Sequence, residues 1–108
     1  MTGKPTVVAL DIDGTLLDHD DGLSPAVIDA VRRTAEQVPV VLATGRAWST
    51  TAPIAQRLRL PAGGFVVCSI GARTLRYPDG TVVDERTFDP TTVIRSVRRY
   101  APNARMAV

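Results

Sequence analysis

Asp11 and Asp13, separated by the single residue Ile12, follow the apolar run Val7-Val8-Ala9-Leu10 and precede Gly14. Residues two apart on an extended backbone leave it on the same face. Two neighbouring carboxylates repel unless a cation sits between them. An all-oxygen donor set suits a hard divalent ion such as Mg²⁺. An EF-hand loop also begins Asp-x-Asp, but it requires Gly at its sixth position and Glu at its twelfth. Counted from Asp11 those places hold Leu16 and Gly22, which excludes that reading. Metal binding for nucleotide-sugar transfer stays open as an alternative use of Asp-x-Asp. A second stretch, Thr44-Gly45-Arg46, follows the apolar run Val40-Val41-Leu42-Ala43 and offers a hydroxyl and an unobstructed backbone.

The elements that must position these residues are legible from pattern. The run ending at Leu10 is short and bounded by polar residues and Gly, which predicts a fully buried strand over 6–10. A polar loop should follow over 11–23. Ser24-Pro25 marks a helix start, with Ser as N-cap and Pro at the first helical position. Val27, Ile28, Val31, Ala35 and Val38 recur at helical spacing, and Pro39 should end the helix near Gln37. Residues 40–43 form a second strand, so strand, helix and strand make a right-handed parallel crossover. Both polar stretches then lie at the carboxyl ends of parallel strands, where open α/β sheets bind ligands. A second helix is expected over 48–59, capped weakly by Ser49 or Thr50, and a third strand over 65–69.

Asp-x-Asp-Gly-Thr-Leu after an apolar strand resembles the first motif of the haloacid dehalogenase-like phosphohydrolases. Thr44-Gly45-Arg46, one crossover later, resembles the second motif of their Cof-type branch. The resemblance implies a Rossmann-like parallel core and a phosphatase acting on a small phosphorylated metabolite. It makes Asp11 the nucleophile, carrying an aspartyl-phosphate, and Asp13 the general acid and then base. Thr44 would hydrogen-bond a transferred phosphoryl oxygen, Gly45 would let the backbone approach the phosphate, and Arg46 completes the phosphate-binding set. The Asp11 carboxylate and the Asp13 main-chain carbonyl would hold Mg²⁺. In Cof-type proteins the stretch at Ser69-Ile70-Gly71-Ala72 usually reads Asn-Gly-Ala, and here Ile70 stands in place of the Asn.

Past Gly71 the pattern changes from crossovers to a hairpin, with short strands over 72–77 and 81–86. They are joined at Tyr77-Pro78-Asp79-Gly80, which suits a type I turn. Asp89-Pro90 opens a helix with an apolar stripe of Val93, Ile94, Val97 and Tyr100, and Ala104 onward should open another strand. This order resembles the first part of an α+β cap. The expected division is therefore an incomplete core over 1–70 and the beginning of a cap over 71–108. The family pattern also includes a Lys and a downstream acidic pair, whereas Lys4 is the only Lys and precedes the first strand. The 108 residues are thus expected to be an N-terminal fragment, able to self-associate or to pair with a missing C-terminal half. The alternative is a non-catalytic module of the same fold that binds phosphate or metal.

Composition sets the remaining bounds. The apolar fraction is 44% and the formal net charge +2, ordinary for a globular domain and no signature of nucleic-acid binding. There is no apolar run long enough to span a bilayer, so no membrane partner is expected and a cytoplasmic location is the default. The single cysteine, Cys68, lies in the run Phe65-Val66-Val67-Cys68 and reads as a buried thiol. His19, the only histidine, sits in the acidic loop 18–21 and is given no catalytic role.

Overall fold

The computed structural model describes residues 3–20 and 22–106. Its elements run β1 (Val8–Leu10), α1 (Pro25–Ala35), β2 (Val40–Ala43), α2 (Trp48–Arg57), β3 (Phe65–Cys68), a short 3₁₀ turn (Ser69–Gly71), β4 (Arg73–Arg76), β5 (Thr81–Glu85) and α3 (Thr91–Tyr100). The strands form one sheet in the order β1-β2-β3-β4-β5. β1, β2 and β3 are parallel, with Val8 opposite Val40 and Leu42 opposite Val66. β4 then turns back antiparallel beside β3, Val66 opposite Leu75, and β5 returns antiparallel beside β4. The fold is therefore α/β, as the crossover pattern predicts.

Local chemistry accounts for the ends of the elements. Ser24 caps α1 as expected: its Oγ accepts the Val27 N–H at 3.2 Å, and Pro25 occupies the first turn. α2 has no side-chain cap and starts after Ala47, so neither Ser49 nor Thr50 plays the part assigned to it. Instead the Thr51 hydroxyl donates back to the Ala47 carbonyl at 2.8 Å. Asp89 accepts the Thr91 N–H at 3.0 Å and so satisfies one of the free amides at the start of α3, although the formal cap is Pro90. The hairpin is wider than a type I turn. Gly80 N–H donates to Arg76 O, the Tyr77–Pro78 peptide is cis, and Gly80 takes φ +73°. No strand forms over Ala104–Met106; the last two residues of that expectation lie outside the described residues.

The core gathers Leu23, Val31, Val40, Leu42, Ile54, Leu58, Val66, Cys68 and Leu75 between the sheet and its helices. Each aliphatic side chain so buried contributes about 1.5–3 kcal/mol. β1 differs from the expectation of a fully buried strand. Ala9 is exposed and Val7 is 50% exposed. The reason is topological: β1 is a sheet edge with β2 as its one neighbour. The hairpin expected to open a cap is hydrogen-bonded onto β3 and continues the same sheet. α3 contributes no fully buried residue, and Val93 and Tyr100 of its apolar stripe are exposed.

Candidate active site

The loop after β1 is built around Ile12. Its side chain is fully buried, which turns the flanking Asp11 and Asp13 outward. Its carbonyl accepts the N–H groups of Thr15, Leu16 and Leu17 at 3.2, 2.9 and 3.0 Å, so the chain wraps tightly about that one oxygen. Gly14 takes φ +74° at the turn, a conformation that a side chain would strain. Leu16 and Leu17 return to the core and anchor the loop's far side. The heptapeptide thus alternates outward carboxylates with inward apolar anchors.

Asp11 Oδ1 accepts the Ile12 N–H at 2.8 Å. Asp13 is held from across the sheet: Arg46 Nε donates to its Oδ2 at 2.8 Å and Arg46 Nη2 to its Oδ1 at 2.6 Å. This two-pronged pair joins the loop after β1 to the loop after β2. The guanidinium hydrogen bonds, reinforced by its charge, hold the Asp13 carboxyl below its ordinary value against a smaller opposing effect of desolvation. The pair is half exposed on the Asp13 side, so its contribution to stability is small.

Thr44 is buried at the end of β2, and its Oγ1 accepts the Arg46 N–H at 3.0 Å. The turn after β3 is bonded to the same loop twice: Ser69 N–H donates to Arg46 O at 2.8 Å and Ile70 N–H to Thr44 O at 3.2 Å. Gly45 faces Ile70, and a Cβ placed on it would lie 3.3 Å from Ile70 Cγ1. The structure therefore brings Asp13, Thr44, Gly45 and Arg46 together, and adds two things the sequence did not reveal. One is the Asp13–Arg46 pairing, since charge complementarity between two loops has no local signature. The other is the backbone of Ser69 and Ile70, both left-handed at φ 52° and 55°. A β-branched residue in that region is an outlier costing about 1–3 kcal/mol.

The remaining acids have local duties. Asp18 Oδ1 accepts the N–H groups of Asp20 and Gly22, both at 3.1 Å, and shapes its own loop. Glu85 pairs with Arg73 at 2.8 Å, Asp84 lies 3.7 Å from Arg86, and Asp79 accepts from the Thr81 hydroxyl. Asp21 lies outside the described residues. Among the described residues no three His, Cys, Asp or Glu side chains converge as a metal site. The Asp11 carboxylate and Asp13 carbonyl are donors of the right hardness for Mg²⁺, but they are two of the roughly six that ion takes.

Strand order, crossover and the two loops define a class. The family model of the haloacid dehalogenase-like hydrolases matches residues 8–103, and the chain belongs to that family. Over 93 residues it is 33% identical to the pyridoxal phosphate phosphatase YbhA of Escherichia coli, covering 85% of this chain and 32% of that protein. Over 68 residues it is 38% identical to a phosphoglycolate phosphatase of Archaeoglobus fulgidus, covering 63% of this chain and 29% of that protein. The crystal structure of a haloacid dehalogenase-like hydrolase from Bacteroides thetaiotaomicron superposes with a TM-score of 0.77 at 27% identity, over 90% of this chain and 38% of that one. The chain thus spans about a third of the length of the curated relatives it matches. Among the described residues no helix is long and apolar enough to cross a membrane.

Proposed function

We propose that this chain is the N-terminal part of a Mg²⁺-dependent phosphatase that cleaves a small phosphorylated metabolite through an aspartyl-phosphate. The observation that carries the reading is the junction of two loops at the carboxyl ends of β1 and β2, where Arg46 clasps Asp13 beside Thr44. Both curated relatives are phosphatases, which supports it. In this reading residues 1–70 begin the core and the chain from 71 leads towards a cap, after its hairpin has joined the core sheet.

Asp11 Oδ attacks phosphorus, the P–O bond to the leaving group breaks, and protonated Asp13 gives its proton to the departing oxygen. Water then attacks the phosphorus of the aspartyl-phosphate. Asp13 takes a proton from that water, and inorganic phosphate leaves with Asp11 restored. Thr44 and the Gly45 backbone steady the phosphoryl oxygens. Arg46 exchanges Asp13 for the incoming dianion, which releases Asp13 from the ion pair that holds it as a carboxylate. The Asp11 carboxylate and Asp13 carbonyl would hold Mg²⁺, which supplies charge neutralisation on the phosphate when bound. The Lys and second acidic pair implied by the family come, in this reading, from the remainder of the longer protein.

The test uses the complete protein carrying this sequence. Mg²⁺-dependent hydrolysis of p-nitrophenyl phosphate is expected, with a loss of at least about 1,000-fold in Asp11→Asn because an amide is a poor nucleophile. Thr44→Ala should lose roughly 10- to 100-fold, the worth of one hydrogen bond to a charged group. Substantial turnover by Asp11→Asn overturns the assignment. The clasped state of Asp13 favours a second reading, a phosphate-binding module without turnover. Saturable phosphate binding with no Asp11-dependent hydrolysis would select it.

A further inference from the structure

Ser69, Ile70 and Gly71 take φ values of 52°, 55° and 89°, three left-handed residues in a row of which one is glycine. The least suited is Ile70, whose β-branched side chain crowds its own backbone there. Burial does not compensate, because Ile70 is 89% exposed. The turn is nevertheless fixed, since its amides donate to Thr44 O and Arg46 O in the loop after β2. Its side chain rests against Gly45, where an added Cβ would already be as close as 3.3 Å to Ile70 Cγ1. A strained, exposed, apolar side chain is thus held beside the backbone that faces the phosphate in the proposed site. Strain that surrounding bonds enforce is a feature of ligand-contact positions.

We infer that Ile70 is a specificity residue: an apolar shelf that receives the organic part of the phosphate ester and favours leaving groups with an aromatic or apolar face over small, fully polar ones. The inference rests on the phosphatase reading above and deepens it. A phosphate at Thr44 and Gly45 would have the Ile70 side chain as its apolar neighbour, since that side chain meets Gly45. Covering it removes hydrocarbon from water on both sides, a gain that an anionic two-carbon leaving group cannot match.

The test compares kcat/KM for pyridoxal 5′-phosphate and for phosphoglycolate in the complete protein, as wild type, Ile70→Asn and Ile70→Leu. Asn adopts left-handed backbone more readily than Ile, so Ile70→Asn should fold with an unchanged or raised Tm. The ratio of the two kcat/KM values should fall about 10-fold in Ile70→Asn, the size typical of one altered apolar contact, and should be largely kept in Ile70→Leu. An unchanged ratio with Asp11-dependent turnover intact overturns this inference and leaves the phosphatase reading standing. An unchanged ratio with a lowered Tm shows instead that Ile70 packs against the rest of the longer chain, and also overturns it. Absence of Asp11-dependent turnover of either ester removes both readings.

Discussion

Replacing Gly80 with Ala tests how the β4–β5 hairpin is tied to α2, the helix that follows the loop after β2. Gly80 has φ +73°, and a Cβ built on it would lie 2.5 Å from Trp48 Nε1 and 2.9 Å from Trp48 Cε2. Gly63 is the control, since it has φ +89° with nothing within 4 Å of its built Cβ. Left-handed backbone costs an L-residue roughly 1–2 kcal/mol, and the stiffer unfolded chain of Ala returns about 0.4–1 kcal/mol. Gly63→Ala should therefore destabilise by about 1 kcal/mol. Gly80→Ala adds a clash with a rigid indole that is packed against the core, so Trp48 must leave its rotamer. Overpacking of this kind costs about 1–3 kcal/mol, giving about 2–4 kcal/mol in all. Urea unfolding followed by far-UV circular dichroism, at one fixed protein concentration, should place the Gly80→Ala midpoint roughly 1 M below that of Gly63→Ala. Trp48 is the only Trp of the chain, so its emission gives a second probe of the same event. Equal midpoints for the two variants, with unshifted emission, would refute the contact.

Three further outcomes are expected. The 108-residue chain by itself should hydrolyse p-nitrophenyl phosphate at least about 100-fold more slowly than the complete protein, because in the proposed reading it offers the metal the Asp11 carboxylate and the Asp13 carbonyl, while among the described residues no three His, Cys, Asp or Glu side chains converge; comparable rates from a sample of verified mass contradict this. The same chain should self-associate or aggregate in light scattering, because β1 is an uncharged apolar edge. A cooperative monomer with slow exchange at every Val8–Leu10 amide would show that the edge is covered. Cys68 is fully buried, and burial pushes its thiol above its ordinary value, so a disulfide reagent at pH 8 should label it at least about 100-fold more slowly in the folded chain than in denaturant. Prompt labelling of the native chain would place the thiol at the surface.

The legible parts of this chain are those whose cause is local. β2 runs Val40–Ala43 as the apolar run predicts, and α1 starts where Ser24 and Pro25 place it. The two motif loops fall at strand ends because short apolar runs precede them. What escaped depends on residues far apart in sequence. The exposure of Ala9 escaped because the run 6–10 reads as buried on its own, whereas the edge position of β1 is the one expected for a chain that carries only the first strands of the family's core. The merger of the hairpin with the core sheet depends on Leu75 meeting Val66, a pairing between elements that each read correctly alone. Arg46 reads as a phosphate ligand from its motif, but its hold on Asp13 needs both loops in space.

The change of strand direction at β3 also bears on how the molecule assembles in time. β3, β4 and β5 are joined by short links, with Cys68 opposite Arg73 and Arg76 opposite Thr81, so their pairing closes small loops at little entropic cost. The pairing of Val8 with Val40 waits on closure of the whole first crossover. Local contacts form earlier in folding than distant ones, so a meander of β3–β5 should be the nucleus and β1 should dock last. Truncation at Leu75 would then slow folding, and truncation at Leu10 would mainly speed unfolding; the opposite pattern refutes this order. Asp11 and Asp13 lie in the loop that directly follows β1, so the two carboxylates would reach their places only after the surface that receives them has formed.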